Sequence, residues 1–468
     1  MRDSAGPLPP QVKTLMSQSI IFDVRTNSVL SGLCSAQRGI TLLIVIASLL
    51  LASSRAFGQL ANSAWPDYGG GYQNQHRSSL IGPAAKPHVL WQFDLDSLPI
   101  PQTQQGHHQP ILLPDGTLVL NTGTLGNDQI VALNPDGTLR WRVDDSDLGP
   151  WLAASSSEHI YAIRQFYATS ETESLRSVSF SGASEWFADL PPGNSTQNGP
   201  AIGRTGMVYA AADHASLRAF TSSGDISWTS TPSGYYVNPA IAGDGTIIDG
   251  GHGLKALGPD GTLLWGYPLR TAAGKFPSYL SPAIGDDGTI FAGQINHPNL
   301  VALTPAGTVL WNRTDLDGAP SIGPNGNVYV VPEAGILHAL NPLTGATLWT
   351  FASGKTDYYN AEGVTIDAAG NLYLANEFGK IFSLTSTGEL RWSLDLAPDY
   401  DPILATSAPV IGENGVLYIV GGFSHMVFAL TAVPEPSALF LASLALAILC
   451  GRAPRWRSER QKKCGIAR

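Results

Sequence analysis

The chain has 468 residues, of which 50 are glycine, 33 are proline and only 14% are charged, a composition that favours a turn-rich globular fold. Its three cysteines, Cys34, Cys450 and Cys464, lie near the two ends. The body between them therefore has no disulfide framework, thiolate metal site or c-type haem. The net charge is −10, and residues 59–434 alone carry 15 basic and 33 acidic residues, or −18. Such a surface repels nucleic acid, so we expect no nucleic-acid role.

The first 58 residues are predicted to be a leader and signal peptide. Residues 40–52 read "ITLLIVIASLLLA", Arg38 precedes them, and the small residues Ala56 and Gly58 follow. Thirteen apolar residues suit the hydrophobic region of a signal peptide better than a bilayer span. The alternatives are a buried core helix here and a translation start at either Met1 or Met16.

After a lead-in segment (59–87), the chain repeats itself. Tryptophans recur on average 43 residues apart, and seven of the eight have glycine four residues earlier, whereas Trp91 has Pro87. The eight are Trp91, Trp141, Trp186, Trp228, Trp265, Trp311, Trp349 and Trp392. Between them a proline precedes a glycine by six residues, as in "PAIGDDGTIFAG" from Pro282. Asp-Gly and Asn-Gly pairs supply the positive-φ positions of tight hairpins.

This pattern predicts an all-β fold with four short strands per repeat, which is typical of a propeller blade. Three-strand groups begin near residues 110, 152, 200, 239, 282, 320, 362 and 409. They predict an eight-bladed propeller over 88–432, or seven blades if 152–180 is not a true blade. The strand at 88–95 should pair with the last group and close the ring, which removes exposed sheet edges. A β-helix is disfavoured because its coils are shorter than 43 residues.

The stretch "ALNPLTGATLW" (339–349) resembles the tryptophan-docking motif of pyrroloquinoline quinone (PQQ) type repeats. Ala339, Asn341, Thr344, Gly345 and Trp349 match that motif. "AWPDYGGGYQNQHRSSL" (64–80) similarly resembles the lead-in of PQQ-like propellers. The resemblance implies that each repeat tryptophan packs between neighbouring blades, with its indole N–H bonded to backbone.

The same resemblance says little about activity. Quinoprotein dehydrogenases of this kind use adjacent cysteines, a bound Ca²⁺, an aspartate base and often a haem, and no residue of this body can be assigned to those roles. We therefore predict no enzyme, catalytic residue, cofactor or metal, with a PQQ- and Ca²⁺-dependent dehydrogenase as the alternative. "DDSD" (144–147) and "DLDG" (315–318) are interpreted as exposed acidic turns rather than calcium sites.

The loops that follow the tryptophan strands should open on one face of the ring. They carry aromatic residues or histidine, namely His107, His108, Trp151, Tyr235, Tyr236, Tyr279, Tyr358, Tyr359 and Tyr400. Because sugars and peptides stack on such rings, we predict a ligand rim there. The alternative is that these side chains only pack against neighbouring loops.

The C-terminal 433–468 region resembles a PEP-CTERM sorting signal. Pro434, Glu435 and Pro436 are followed by an apolar segment, "ALFLASLALAILCG", and a basic tail. The resemblance implies a Gram-negative-type bacterium, an exosortase-type processing enzyme and a transmembrane helix until processing. A plain C-terminal membrane anchor is the alternative.

These observations together predict an exported, monomeric, non-enzymatic propeller. It would act as a binding or scaffold module for polysaccharide or protein at the cell envelope, outer surface or extracellular matrix. Besides the dehydrogenase, the alternative is an envelope assembly scaffold like the outer-membrane barrel-assembly lipoprotein. That scaffold is disfavoured because a lipobox cysteine after the signal peptide is missing.

Overall fold

Eight four-stranded antiparallel sheets form an eight-bladed β-propeller in the computed structural model. The structure describes residues 59–99, 109–122, 129–144, 148–164, 174–190, 199–211, 216–232, 238–250, 253–267, 280–294, 298–332, 335–354, 363–376, 378–396, 407–421 and 425–432. The predicted signal peptide, sorting motif and C-terminal helix lie outside them. The second group, at 152–180, is a true blade, so the prediction of eight blades is confirmed and the seven-bladed alternative is wrong.

The strands are short and follow one order. The first strand and blades 1 to 3 are β1 (His88–Asp94); β2 (Ile111–Leu112), β3 (Leu118–Asn121), β4 (Gln129–Leu133), β5 (Leu139–Asp144); β6 (Leu148–Ala154), β7 (His159–Arg164), β8 (Ser174–Ser179), β9 (Ser184–Asp189); β10 (Ala201–Ile202), β11 (Val208–Ala210), β12 (Ser216–Phe220), β13 (Ile226–Pro232). Blades 4 to 6 are β14 (Ala240–Ile241), β15 (Ile247–Asp249), β16 (Leu254–Leu257), β17 (Leu263–Tyr267); β18 (Ala283–Ile284), β19 (Ile290–Gly293), β20 (Leu300–Leu303), β21 (Val309–Arg313); β22 (Ser321–Ile322), β23 (Val328–Val330), β24 (Ile336–Leu340), β25 (Thr347–Ala352). Blades 7 and 8 continue with β26 (Thr365–Ile366), β27 (Leu372–Ala375), β28 (Lys380–Leu384), β29 (Leu390–Asp395); β30 (Val410–Ile411), β31 (Leu417–Gly421), β32 (Met426–Thr431). Three 3₁₀ turns lie at Tyr68–Gly70, Leu95–Ser97 and Glu413–Gly415.

The four strands of a blade, called A to D from the axis outward, differ in burial. Strands B and C are buried nearly throughout, as in β19 and β20, because blades stack on both of their faces. Strand D alternates between exposed and half-buried residues, as in β25. The continuous apolar runs and the tryptophan-bearing strands of the sequence therefore correspond to the middle and the outer edge of each blade.

The A–B turns are built by their own side chains. In blade 4, the Asp244 carboxylate accepts a hydrogen bond from the Thr246 N–H (2.9 Å), and Gly245 adopts φ +89°. Such an aspartate–glycine turn reverses the chain within two residues, and the left-handed position favours glycine. The recurring spacing from proline to glycine in the repeats is therefore the spacing from strand A to its turn.

The ring closes through strands from opposite ends of the described chain. β1 pairs antiparallel with β32, with Trp91 opposite Ala429 and Phe93 opposite Val427, in the sheet order β1-β32-β31-β30. The predicted closing strand is thereby confirmed. The described residues contain no α-helix that is long and apolar enough to cross a bilayer.

Candidate functional site

The propeller has two unlike faces. Each strand A runs towards its A–B turn, so the A–B and C–D turns share one face, the turn face, while the D–A and B–C connections share the other, the loop face. Of the nine predicted rim residues, only Trp151 lies within the described residues. The others are outside them: His107, His108, Tyr235, Tyr236, Tyr279, Tyr358, Tyr359 and Tyr400.

Trp151 lies on β6 and contacts the lead-in segment. Its ring packs edge-to-face on Tyr68 with centroids 5.4 Å apart, and Tyr68 packs in the same way on His76 at 5.1 Å. These contacts make Trp151 part of the packing around the lead-in segment.

The lead-in segment, Gln59–Pro87, crosses the axis near the turn face and is called the strap below. Its backbone carbonyls accept hydrogen bonds from strand A amides of six blades, at 2.5 to 2.9 Å. The pairs are Leu112 N–H to Trp65 O, Ala154 to Pro66, Ile241 to Tyr72, Ile284 to Gln73, Ile322 to Gln75 and Ile366 to His76. One segment thus satisfies strand A donors in six of the eight blades, donors that a dry axis would otherwise leave unpaired.

Strap side chains complete this packing. Trp65 is fully buried, and the Asn74 Nδ2 donates to the carbonyls of Asn238 (3.0 Å) and Pro282 (3.2 Å) in blades 4 and 5. At the start of the strap, the Gln59 Nε2 donates to Arg204 O (2.9 Å) in the A–B turn of blade 3. The strap is therefore fixed to the ring along its length.

Two titratable groups of the strap are buried without full hydrogen bonding. Asp67 is 5% exposed and its Oδ1 has no hydrogen-bond partner; His76 is 1% exposed and its Nδ1 has none. Burial raises the pKa of Asp67 to about 8, against a smaller lowering by the Gly71 N–H. Burial lowers the pKa of His76 to about 3. Both groups are consequently neutral near pH 7, because the charged forms would be desolvated.

The turn-face end of the axis holds the buried side chains of Trp65, Asp67 and His76, and strand A amides there are already bonded to the strap. Within the described residues, no group of three or more His, Cys, Asp or Glu could hold a metal ion. In the "DLDG" stretch, Asp315 forms a two-point ion pair with Arg313 (2.7 Å for each contact). In "DDSD", only Asp144 lies within the described residues.

The eight repeat tryptophans lie between blades. Each indole N–H donates to a backbone carbonyl at 2.7 to 3.1 Å, and in seven of the eight the carbonyl belongs to the next blade. The donor–acceptor pairs are Trp91 to Pro135, Trp141 to Phe180, Trp186 to Ser222, Trp228 to Pro259, Trp265 to Pro305, Trp311 to Pro342, Trp349 to Ser386 and Trp392 to Pro83. The last acceptor belongs to the strap, which replaces the C–D turn of blade 8.

Each of these rings, except that of Trp392, rests on the glycine of the next C–D turn. A Cβ added to Gly345 would lie 2.8 Å from Trp311 Cδ2, and one on Gly307 would lie 2.6 Å from Trp265 Cδ2. Within its own blade, Trp349 lies opposite Ala339, and Tyr329 lies on the other side of that alanine. The glycine of a C–D turn therefore makes room for the tryptophan of the preceding blade, and the small strand C residue, such as Ala339, makes room for the tryptophan of its own blade.

These features define a PQQ-like β-propeller closed by its own N-terminal strand. The family model described as outer membrane protein assembly factor BamB matches residues 126–333 and 333–428. The chain belongs to that family. Among curated proteins, a sequence search finds no match.

Solved structures with this fold include proteins with different activities. BamB from Moraxella catarrhalis aligns with a TM-score of 0.55 and 14% identity, covering 74% of this chain and all of that one. The quinohemoprotein alcohol dehydrogenase ADHIIG from Pseudomonas putida HK5 aligns with a TM-score of 0.60 and 14% identity, covering 81% of this chain and 82% of that one. The quinohemoprotein alcohol dehydrogenase from Comamonas testosteroni aligns with a TM-score of 0.61 and 13% identity, covering 79% of this chain and 81% of that one. At such identities the likeness concerns the fold.

Proposed function

We propose that the chain is an exported, non-enzymatic binding or scaffold module of the bacterial cell envelope. Its family, described as an outer membrane protein assembly factor, supports an envelope location and a scaffold role. We further propose that the partner is an envelope polysaccharide or protein, that the module is monomeric, and that its Pro434–Pro436 motif is read by an exosortase-type enzyme.

The observation that carries this proposal is the strap across the axis. It bonds to strand A of six blades and buries Trp65 completely. Because the strap is packed against the ring at the turn-face end of the axis, we expect a partner to bind at the outer surfaces of the ring.

The directions of the strands favour the loop face for binding. β32 runs towards the turn face and ends at Thr431, and Gln59 bonds to an A–B turn on that same face. If the C-terminal segment holds the protein at a membrane, the loop face is directed away from it. The predicted rim, including Tyr236 and Tyr359, then faces a partner.

Glycan arrays and peptide libraries probed with the purified chain test this proposal. We expect binding that the Tyr236→Ala, Tyr359→Ala double variant loses without a change in melting temperature. Phe187→Ala, an exposed aromatic on the outer strand of blade 2, is the matched control and should bind normally. Dye reduction on adding PQQ and Ca²⁺ would instead support the dehydrogenase alternative.

A further inference from the structure

Blade 8 lacks a feature that the other seven blades have. Because its strands C and D come from opposite ends of the described chain, no C–D hairpin joins them. The two halves of the missing turn are the strap residues Pro83–Pro87, which lead into β1, and Ala432, which follows β32.

A cavity of about 700 Å³ lies at this split turn. Its walls are residues 79–85 of the strap, Asn414 and Gly415 of the A–B turn of blade 8, and Ala432. Ile81, in the strap wall, is 58% exposed. The cavity thus has a largely apolar wall, and the last described residue of the chain borders it.

The other blades show what occupies the corresponding position. Leu133 pairs with Leu118 in blade 1 as Leu430 pairs with Leu417 in blade 8, so Ala432 has the register position of Pro135. Prolines stand there in blades 1, 4, 5 and 6, and they lie over the glycine of the A–B turn. A Cβ on that glycine would be 3.0 to 3.9 Å from the proline Cγ; the prolines are Pro135, Pro259, Pro305 and Pro342. In blade 8 the strap backbone lies over that glycine instead, since a Cβ on Gly415 would be 3.1 Å from Ile81 O, and Ala432 borders the open cavity beside it.

We propose that the segment Val433–Ser437 of the same chain docks in this cavity, with its prolines against Ile81 and Ala84. The segment follows directly on Ala432, so no linker has to be ordered before it reaches the wall. Its Pro-Glu-Pro sequence is restricted to extended conformations, which lowers the entropic cost of docking. Lys86, exposed beside the cavity, is complementary in charge to Glu435.

Docking has a consequence for processing. It holds Pro434 and Pro436 against the folded ring, so an enzyme that reads this motif meets it only when the segment is undocked. Docking in the cavity and recognition of the motif then compete for the same five residues.

Zero-length cross-linking of the full chain in detergent tests the proposal. A carbodiimide joins a carboxylate to an amine with loss of water, and mass spectrometry locates the amide. We expect Glu435 to link to Lys86 at least fivefold more than to Lys255 or Lys380. Ile81→Ser should lower the Lys86 link several-fold, whereas Leu343→Ser, at an exposed leucine in the C–D turn of blade 6, should not.

Two results would overturn it. Equal linkage of Glu435 to all three lysines, in a chain with an unchanged melting temperature, would show that the segment is not docked. Links between ¹⁵N-labelled and unlabelled chains in a mixed sample would show that the cavity receives the segment of a second copy instead.

Discussion

Gly388 of blade 7 lies directly beneath the indole of Trp349 of blade 6. A Cβ at Gly388 would come within 2.7 Å of Trp349 Cδ2, and the indole N–H donates to Ser386 O (3.1 Å) two residues earlier in the same turn. The glycine and the tryptophan of the repeat motif are thus partners across a blade boundary rather than within one blade.

Gly388→Ala should therefore destabilise the ring by about 2–4 kcal/mol, because overpacking adds to left-handed strain. Gly326→Ala is the matched control: it has a similar φ of +80°, and its Cβ would be 3.9 Å from Pro342 Cγ. Chemical denaturation should show that Gly326→Ala lowers the free energy of unfolding by about 1 kcal/mol, which is the cost of the left-handed strain alone. Equal losses for the two variants would show that Trp349 does not press on Gly388.

Trp349→Ala should lower the free energy of unfolding by about 3 kcal/mol, the lower end for a large aromatic, because the side chain is half-buried. Trp349→Phe keeps a ring and loses the N–H donor, so it should cost about 1 kcal/mol. Denaturation curves of the wild type and Trp349→Ala that superimpose would mean that Trp349 does not anchor its blade.

The blades could be predicted from the sequence because every blade repeats its own signals. The turn glycines, the strand A prolines and the strand D tryptophans are local features, and each recurs often enough to reveal its period. The closing strand followed from counting, since Trp91 comes before the first three-strand group and no tryptophan strand follows the last.

The path of the strap could not be predicted in the same way. Its contacts with strand A use backbone carbonyls, such as Trp65 O and His76 O, and backbone hydrogen bonds leave no mark on residue type. Its glycines and polar residues show neither a strand nor a helix period. The burial of Asp67 and His76 could not be predicted from the sequence either, because both residue types are usually exposed or half-buried.

Trp65→Ala in the strap should cost about 3–5 kcal/mol, since the side chain is fully buried. Leu343→Ala, at an exposed position in the C–D turn of blade 6, should stay within about 0.5 kcal/mol of the wild type. Both values come from urea denaturation of the full chain. A Trp65 variant as stable as the Leu343 variant would mean that the strap adds nothing to the ring.

Asp67→Asn should change how stability depends on pH. The pKa of Asp67 is about 8 in the folded chain and 3.8 as its ordinary value, so folding takes up a proton between these two values. The free energy of unfolding therefore falls as pH rises from about 4 to 8, then levels off. The amide of the variant does not titrate, so the variant should not show this pH-dependent fall in the free energy of unfolding. Its stability relative to the wild type should therefore increase as pH rises from about 4 to 8.

Urea denaturation from pH 4 to pH 9 at constant ionic strength measures this difference. The effect of His76, which destabilises the fold as pH falls from 6.5 towards 3, is common to both proteins and cancels. Asp225→Asn, in an exposed turn of blade 3, serves as the control. Curves for Asp67→Asn and the wild type that run parallel would contradict the assigned burial of the Asp67 carboxyl.

Quantitative capture from the native envelope tests the claim that the chain binds an envelope partner through its loop face. The wild type and the Phe187→Ala control should retain the same polysaccharide or protein, and the Tyr236→Ala, Tyr359→Ala variant should retain at least tenfold less at an unchanged melting temperature. Equal retention by all three proteins would contradict the claim.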